Sequence, residues 1–257
     1  MVLLEGKSVS INFGGVKALS NVDFHVNQGE VLGLIGPNGA GKTTLLNAIS
    51  GLCHRSGGSL QFKGQDISHL KPHQIAKLGI ARTFQVVKPF ERLTVLENVA
   101  MGAMFSSKSG LSKDEILHRA EVASKSVGIS EKALLYPRQL TLSERQQLEL
   151  ARALAMNPDL LLLDEVMAGL NHSEIDKTIA LIRHINEALG MTILVVEHVM
   201  KAIMNVCHRV VVLQFGKKIA DGSPQEVVDT PEVIQAYLGQ KFAARHLGRT
   251  AERTTSQ

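Results

Sequence analysis

Aromatic residues and cysteines are scarce in this chain. Aromatics make up 4% of the 257 residues and tryptophan is absent, which argues against the stacking surfaces that bind single-stranded nucleic acid. The two cysteines, Cys53 and Cys207, provide neither a disulfide framework nor a CxxC zinc pair. Both lie in apolar stretches, so we expect buried thiols and a reducing compartment.

The sequence also lacks a leader pattern and a membrane-spanning run. Its first residues, MVLLEGKSVS, reach Glu5 and Lys7 too early for a signal peptide. No apolar run approaches the roughly 18 to 20 residues that cross a bilayer. We therefore expect a chain that is soluble and cytoplasmic by itself, with any membrane role supplied by a partner. The net charge of +4 is compatible with an anionic ligand or a membrane surface and requires neither.

Strand and helix patterns alternate along most of the chain. Near the N-terminus, apolar residues alternate as in half-buried strands, at Leu3, Val9, Ile11 and Phe13 and then at Val22, Phe24 and Val26. The run EVLGLIG leads into the helical pattern KTTLLNAISGL, which we expect to end near Gly51. β character returns in SLQFKGQDIS, IARTFQ, LLLLDE, TILVVEH and RVVVLQFGKKIADG. This order predicts an α/β fold with a mostly parallel sheet covered on both faces.

Residues 89–157 have a different pattern, which predicts a helical subdomain inserted into a core of residues 1–88 and 158–240. Three capping boxes mark helix starts, namely Thr94 with Glu97, Ser112 with Glu115 and Thr141 with Glu144. In the core, a short helix is expected from Pro72 to Gly79, and two more are expected to begin at Pro224 and Pro231. Residues 241–257 form a polar tail that we expect to be frayed.

A phosphate-binding loop follows the EVLGLIG strand. The stretch from Gly36 to Thr43 reads GPNGAGKT and matches G-x-x-x-x-G-K-[ST] at every position, with a strand before it and a helix after it. Glycines let the backbone N–H groups surround phosphate oxygens, and the helix directs its positive end at the same place. We expect Lys42 to reach the β- and γ-phosphates and Thr43 to bind Mg²⁺. The predicted nucleotide-binding residues are Gly36, Pro37, Asn38, Gly39, Ala40, Gly41, Lys42, Thr43 and Thr44.

Two carboxylates end the apolar strand LLLLDE. Asp164 at such a strand end can hold Mg²⁺, usually through water. Glu165 beside it can polarise the attacking water as a general base. An isolated Asp-Glu pair is often a solvated turn, but with a phosphate loop upstream the pair indicates ATP hydrolysis.

With these motifs, the chain resembles the ATP-binding subunits of ABC transporters from about residue 3 to residue 240. The resemblance implies a RecA-like P-loop core, an N-terminal antiparallel β subdomain and the inserted helical subdomain. It implies that Gln85 in RTFQ contacts Mg²⁺ or the attacking water, and that His198 in VVEH contacts the γ-phosphate. Phe13 would stack on adenine, and AGLN, residues 168–171, occupies the D-loop position.

These three residues also have ordinary structural interpretations. Gln85 alone would be a strand-end glutamine, His198 a surface or core histidine, and Phe13 a core residue. It is the spacing of the whole set that makes chance agreement improbable. His69 and His73 lie four residues apart, but Pro72 between them argues against a continuous helix and hence against a metal site.

Within the family, GIARTFQ, LTVLENV, LDEVMAGLN and AYLG are most similar to the subunit of branched-chain amino acid importers. Importers of urea, amides and related polar solutes belong to the same group. The resemblance implies integral membrane permease partners, a second ATPase subunit of the same or a different kind, an indirect link to a solute-binding protein, and no nucleic acid. It implies a peripheral location on the cytoplasmic side of the inner membrane. The ending IADGSPQEVV also resembles the ATPase of lipopolysaccharide export, which stays as an alternative.

The stretch LTLSE, residues 140–144, stands where the family usually has LSGGQ. In the family this helix start closes over the γ-phosphate held by a second subunit. The predicted signature residues are Thr141, Leu142, Ser143 and Glu144. Thr141 keeps a hydroxyl, Ser143 has a Cβ where glycine is usual, and Glu144 brings a carboxylate towards a triphosphate. Because of the capping-box spacing, Glu144 can instead fold back onto the Thr141 N–H.

Three interpretations of LTLSE remain open. It is a working but altered signature, a weak one in a mixed pair whose other chain supplies a standard signature, or only a helix cap. Asn171, in place of the usual D-loop aspartate, adds weight to the mixed pair.

Two other classes of protein remain as rivals. One is a soluble ABC ATPase of DNA repair or translation, and the other is a nucleotide-binding regulator without hydrolysis. The stretch VVKPFERLTVLENV, residues 86–99, could dock a membrane partner or be ordinary core of the helical subdomain.

Overall fold

The computed structural model describes residues 1–85, 87–106 and 110–238. The strands are β1 (Val2–Phe13), β2 (Val16–Asn27), β3 (Val31–Ile35), β4 (Gly57–Phe62), β5 (Gln65–Asp66), β6 (Ile80–Arg82), β7 (Leu160–Asp164), β8 (Thr192–Val196), β9 (Arg209–Gln214) and β10 (Lys217–Gly222). The α-helices are α1 (Lys42–Ile49), α2 (Pro72–Leu78), α3 (Val95–Met104), α4 (Lys113–Ser126), α5 (Leu142–Ala155), α6 (His172–Leu189), α7 (Met200–Val206), α8 (Pro224–Val228) and α9 (Pro231–Leu238).

The strands form two sheets. Six of them make a central sheet in the order β10-β9-β3-β8-β7-β6, in which every neighbouring pair is parallel except β9 with β10. The other four make an antiparallel sheet in the order β2-β1-β4-β5. The predicted α/β fold, with its mostly parallel sheet and its N-terminal antiparallel sheet, is confirmed.

The central sheet is covered on both faces, which explains its unbroken apolar strands. Successive side chains of a strand point to opposite faces. Leu161 and Leu163 of β7 therefore join one buried cluster with α3 to α7. Leu160 and Leu162 join another with α1, α2 and the antiparallel sheet. Because β3, β6, β7 and β8 run parallel to one another, their carboxyl ends meet at one edge of the sheet.

The structure confirms the helix starts that the sequence predicts. The three predicted capping boxes begin α3, α4 and α5, with the threonine or serine hydroxyl accepting the N–H three residues on. Helix α2 begins at Pro72 and is followed by Gly79 in the left-handed conformation. Helices α8 and α9 begin at Pro224 and Pro231 as predicted.

Two expectations need correction. IARTFQ was predicted to be a strand throughout, but β6 ends at Arg82. The Thr83 N–H still donates to the Leu162 oxygen at 2.9 Å. The next N–H on β7, that of Asp164, instead donates to the Thr83 side chain at 3.4 Å, so the ladder stops there. Cys207 is buried, whereas Cys53 is only partly buried.

In the part of the chain that the structure describes, no helix combines the length and the apolar character needed to cross a bilayer. The predicted frayed tail, residues 241–257, lies outside the described residues.

Candidate active site

The phosphate loop lies between the end of β3 and the start of α1. Gly41 caps α1 in the left-handed conformation, with φ of 104°, and the helix has neither a side-chain cap nor an acidic residue in its first turn. The first N–H groups of a helix have no intrahelical acceptor. Together with the helix dipole, they make this end of α1 an open site for an anion.

Gly41 is required by both conformation and space. A residue with a Cβ is strained at this positive φ. The added Cβ would also lie 2.6 Å from Leu19 Cδ2 and 2.7 Å from the Ala18 oxygen. Gly39, with φ of 78°, has nothing within 4 Å of the same position. The loop is therefore held tightly against β2 at Gly41 and is open at Gly39.

Lys42 is folded back onto its own loop. Its side chain is buried, and Nζ donates to the Gly36 oxygen at 2.7 Å and to the Pro37 oxygen at 3.1 Å. Burial lowers the pKa of Lys42, and the charges of Glu165 and Asp164 oppose that shift. An ammonium held by two neutral carbonyl oxygens can turn towards a phosphate that offers a full negative charge.

Asp164 and Glu165 have different surroundings at the end of β7. Asp164 is 3% exposed, and its Oδ2 accepts a hydrogen bond from Arg82 Nη2 at 2.8 Å. Glu165 has φ of 51°, an uncommon conformation for a residue other than glycine. Its N–H donates to the Val196 oxygen at 2.9 Å, which fixes the turn. Non-glycine residues held in this conformation cluster at functional sites.

Gln85 contacts the second carboxylate directly, since its Nε2 donates to Glu165 Oε2 at 2.7 Å. His198 follows β8, and its N–H donates to Glu197 Oε2 at 3.3 Å. Gln85, Glu165 and His198 line a cleft of about 970 Å³ together with the phosphate loop. The structure therefore brings the predicted residues from the ends of β3, β6, β7 and β8 into one place.

Phe13 is not part of the lining of this cleft. It ends β1 and is 52% exposed, so it is not the core residue of the alternative interpretation. The outer wall of the cleft consists of other residues, namely Val16, Lys17, Ala18, Phe215, Ala236 and Tyr237. An adenine contact by Phe13 stays a prediction.

The LTLSE stretch forms the start of α5 as a complete capping box. Thr141 Oγ1 accepts from the Glu144 N–H at 3.3 Å, and Glu144 Oε2 accepts from the Thr141 N–H at 2.9 Å. Glu144 Oε1 also pairs with Lys132 Nζ at 2.8 Å. The hydrogen bonds from Lys132 and then from the Thr141 N–H hold the pKa of Glu144 below its usual value. The carboxylate is thus held by groups of its own chain.

No sequence motif predicts several of the residues that lie around the cleft. Arg82 pairs with Asp164, and Glu197 accepts the Met167 N–H at 2.9 Å within a buried environment that raises its pKa. Tyr237 of α9 lines the cleft beside the phosphate loop, and burial raises the pKa of its phenol. These contacts join residues far apart in sequence, and only the preference for pairing buried charges hints at them.

The sequence of this chain matches two known protein families and is similar to several named proteins. Residues 19–168 match the family described as ABC transporter, and residues 217–243 match the family described as Branched-chain amino acid ATP-binding cassette transporter. The high-affinity branched-chain amino acid transport ATP-binding protein LivG of Escherichia coli strain K12 is 35% identical over 93% of this chain and 98% of its own length. BraF of Pseudomonas aeruginosa, with the same description, is 36% identical over the same shares.

Solved structures are similar over nearly the whole described chain. MJ1267, an ATP-binding cassette of an ABC transporter in its ADP conformation, has a TM-score of 0.85 at 29% identity and covers 93% of this chain and 100% of its own. The dimeric bacterial ABC transporter cassette MJ0796 has a TM-score of 0.78 at 28% identity, over 86% and 99% of the two chains.

An α/β core with a phosphate loop and strand-end carboxylates defines a nucleotide-hydrolysing P-loop protein. The matches above are more specific. This chain belongs to the ABC transporter family, as one of its ATP-binding and ATP-hydrolysing subunits.

Proposed function

We propose that this chain hydrolyses ATP for an importer of branched-chain amino acids. The observation that carries the proposal is the match of residues 217–243 to the branched-chain amino acid cassette family. That segment contains β10, α8 and α9, outside the part shared with ABC transporters at large. The relatives named for branched-chain amino acids also align over 93% of the chain. Lipopolysaccharide export and soluble repair or translation functions are therefore not favoured.

In this proposal the phosphates of ATP lie at the N-terminus of α1. The loop from Gly36 to Thr44 supplies backbone N–H groups, and Lys42 leaves the Gly36 and Pro37 oxygens to bind phosphate. Phe13 covers the base from the end of β1. His198 contacts the γ-phosphate from the end of β8, where its backbone is held by Glu197.

The residues at the cleft also fit a magnesium ion. Thr43 and Asp164 supply the hydroxyl and carboxylate oxygens that Mg²⁺ prefers, with Gln85 as a third oxygen donor. Mg²⁺ is usually bound by one or two carboxylates together with phosphates and water. One carboxylate with two neutral oxygen donors fits that pattern. When bound, the ion would neutralise charge on the phosphates.

Glu165 is the proposed general base. It accepts a proton from the water that attacks the γ-phosphorus, while the bond to the β-phosphate oxygen breaks and ADP leaves with inorganic phosphate. In the structure, Gln85 occupies Glu165 Oε2. Gln85 must therefore turn from Glu165 towards the phosphates before this oxygen can accept the water proton, and it can report the presence of ATP to the segment that follows it.

A groove beside the cleft is the proposed contact with the permease. It has a volume of about 640 Å³ and an apolar wall of Phe84, Phe90, Met101, Phe105 and Met156. Asn98 fixes Phe90 by accepting its N–H at 2.8 Å and donating to its oxygen at 3.1 Å. Within the stretch 86–99, Phe90 lines the groove, which supports the proposed docking role, whereas Val95 and Val99 are buried core. The division into a core of 1–88 and 158–240 and a helical subdomain of 89–157 belongs to the same proposal.

Two such subunits are proposed to enclose ATP between them. Each nucleotide would then lie between the α1 N-terminus of one subunit and the α5 N-terminus of the other, with Thr141, Leu142, Ser143 and Glu144 facing the partner's nucleotide. A second copy of this chain can serve as that partner. The subunits would act on the cytoplasmic face of the inner membrane, and a solute-binding protein would reach them only through the permease.

Uptake measurements test the proposed solute. Cells that lack this gene should lose most high-affinity uptake of labelled leucine, isoleucine and valine, and the intact gene should restore it. The Glu165→Gln variant should be produced at the normal level without restoring uptake. Unchanged branched-chain amino acid uptake in the deletion strain, or equal loss of labelled lysine and glutamate uptake, would contradict the proposed solute.

A further inference from the structure

Arg82 lines the proposed permease groove, next to Thr43 and Gln85, which line both the groove and the cleft. It is the last residue of β6 and is paired in register with Leu162, two residues before Asp164 on the neighbouring strand. Its side chain is only 5% exposed, as is that of Asp164. None of the steps proposed above uses Arg82.

The guanidinium of Arg82 connects the elements that carry Asp164 and Thr43, two of the three proposed metal ligands. Nη2 donates to Asp164 Oδ2 at 2.8 Å, at the end of β7. Nη1 donates to Asn47 Oδ1 at 2.8 Å and to Ser50 Oγ at 2.9 Å, at the far end of α1. Since Thr43 lies in the first turn of α1, one planar group fixes the Asp164 carboxylate relative to the helix that carries Thr43.

Stability alone does not account for this arrangement. A buried ion pair is often no more stabilising than apolar residues of the same volume. In addition, Arg82 Nε is buried without a hydrogen-bond partner among the described residues, which is a cost. The remaining face of the guanidinium lies 5.0 Å from the centre of the Phe84 ring. Phe84 is 48% exposed and lines the groove together with Arg82 and Asp164, so the ion pair lies in the groove wall beside this ring.

We propose that Arg82 is a positioning residue of the ATPase site, which orients the Asp164 carboxylate towards the metal held with ATP. Arg82 occupies Oδ2 and leaves the rest of the carboxylate for the ion. This inference rests on the proposed function in one respect, the role of Asp164 in holding Mg²⁺. We therefore expect Arg82 to affect the part of the nucleotide affinity that depends on Mg²⁺, because its hydrogen bonds go to Asn47, Ser50 and Asp164 and not to the phosphate loop.

The test compares the affinity for a fluorescent ATP analogue in Mg²⁺ and in EDTA. Arg82→Lys keeps the charge and loses the planar fork. Its affinity in EDTA should stay within about twofold of the unaltered protein, while the gain in affinity from Mg²⁺ should fall about tenfold, as for other residues that orient a metal ligand. The Mg²⁺ concentration for half-maximal ATPase activity should rise by a similar factor.

Arg209→Lys is the matched control. Arg209 also forms a fork, to Glu30 at 2.8 Å and to Asp221 at 2.7 Å, and it does not line the cleft. This variant should leave the Mg²⁺-dependent gain unchanged. Asn47→Ala, which keeps the ion pair and removes one anchor of Arg82, should reduce the gain by a smaller factor and serves if Arg82→Lys does not fold.

The possible outcomes separate this inference from the function on which it rests. Asp164→Asn should abolish the Mg²⁺-dependent gain, and if it does not, the metal role of Asp164 itself is wrong. If Asp164→Asn abolishes the gain while Arg82→Lys or Asn47→Ala leaves it unchanged, Arg82 is not a positioning residue. An equal loss of affinity in Mg²⁺ and in EDTA, or the same change in Arg209→Lys, would also overturn the inference.

Discussion

The N-termini of α1 and α5 differ in whether side chains accept hydrogen bonds from their first N–H groups. Helix α1 begins after Gly41, without a side-chain cap and without an acidic residue in its first turn. Helix α5 begins with the Thr141–Glu144 capping box and an ion pair from Glu144 to Lys132. The first is left open for a ligand, and the second is partly satisfied within its own chain, at the Thr141 and Glu144 N–H groups.

This difference indicates which of the two helix ends can bind ATP without a second subunit. The open end of α1 can bind phosphate by itself, because no side chain of the described residues caps its N–H groups. At α5, Glu144 takes the Thr141 N–H, but Leu142 and Ser143, as the first two helical residues, still have no intrahelical acceptor. Lys132 pairs with Glu144 and offsets its negative charge. We therefore propose that this helix end acts on a nucleotide that is already held elsewhere.

The largest expected effect is at the cleft of α1. Glu165→Gln should reduce ATP turnover by about a thousandfold, since a neutral amide cannot accept the water proton. ATP binding should persist, because the phosphate loop is unchanged. Steady-state phosphate release and equilibrium binding measure the two effects. Glu187→Gln, in an exposed ion pair with Arg183 on α6, is the control and should keep full turnover.

A side chain at Gly41, which caps α1, should lower both the free energy of unfolding and the affinity for ATP. Gly41→Ala forces a Cβ against Leu19 and the Ala18 oxygen at a positive φ, and we expect a loss of about 3 kcal/mol in unfolding free energy together with weaker ATP binding. Gly39→Ala meets no neighbour and should cost about 1 kcal/mol. Urea unfolding compares the two, and equal losses would mean that the close approach at Gly41 is unimportant.

Removing the cap of α5 should lower stability by a smaller amount and should leave the ATP affinity of isolated chains unchanged. Thr141→Ala loses the hydroxyl that accepts the Glu144 N–H, at a cost of about 1 kcal/mol. Turnover should fall because closure on the second subunit is impaired, whereas the affinity of isolated chains for ATP should not change. Thr141→Ser should restore both stability and turnover. A loss of ATP affinity in isolated Thr141→Ala chains would contradict the separation of the two helix ends.

The smallest expected effect is the pH dependence of the Lys132–Glu144 pair. The folded-state pKa of Glu144 is lowered, so its contribution to stability is present above the unfolded carboxyl pKa of about 4.3 and is lost as the pH falls through the folded value. Lys132→Ala should therefore be slightly less stable than the unaltered protein at pH 7, and the difference should shrink below about pH 4. Lys125→Ala, on the exposed side of α4, should show no such trend in thermal unfolding.

The sequence predicts the parts of this site that depend on neighbours along the chain. The loop from Gly36 to Thr43, the carboxylates after an apolar strand and the three capping boxes all have fixed spacing, which local chemistry dictates. Helix α6, which begins with the capping box of Asn171 and Glu174, has the same kind of signal and was overlooked.

Contacts between distant segments could not be predicted in this way. The partners of Arg82 lie 32, 35 and 82 residues away, and no spacing rule relates them. The early end of β6 likewise depends on the Thr83 side chain taking a hydrogen bond from β7. The Lys132–Glu144 pair could be proposed only after the turn before α5 was known.

The central claim is that the altered start of α5 still closes over a nucleotide held by a second copy of this chain. The most direct test is size-exclusion chromatography with light scattering on Glu165→Gln, with and without ATP and Mg²⁺. We expect a monomer without nucleotide and a dimer with it. A protein that binds ATP and stays monomeric would contradict the claim, and would mean that α5 needs a different ATPase subunit as its partner.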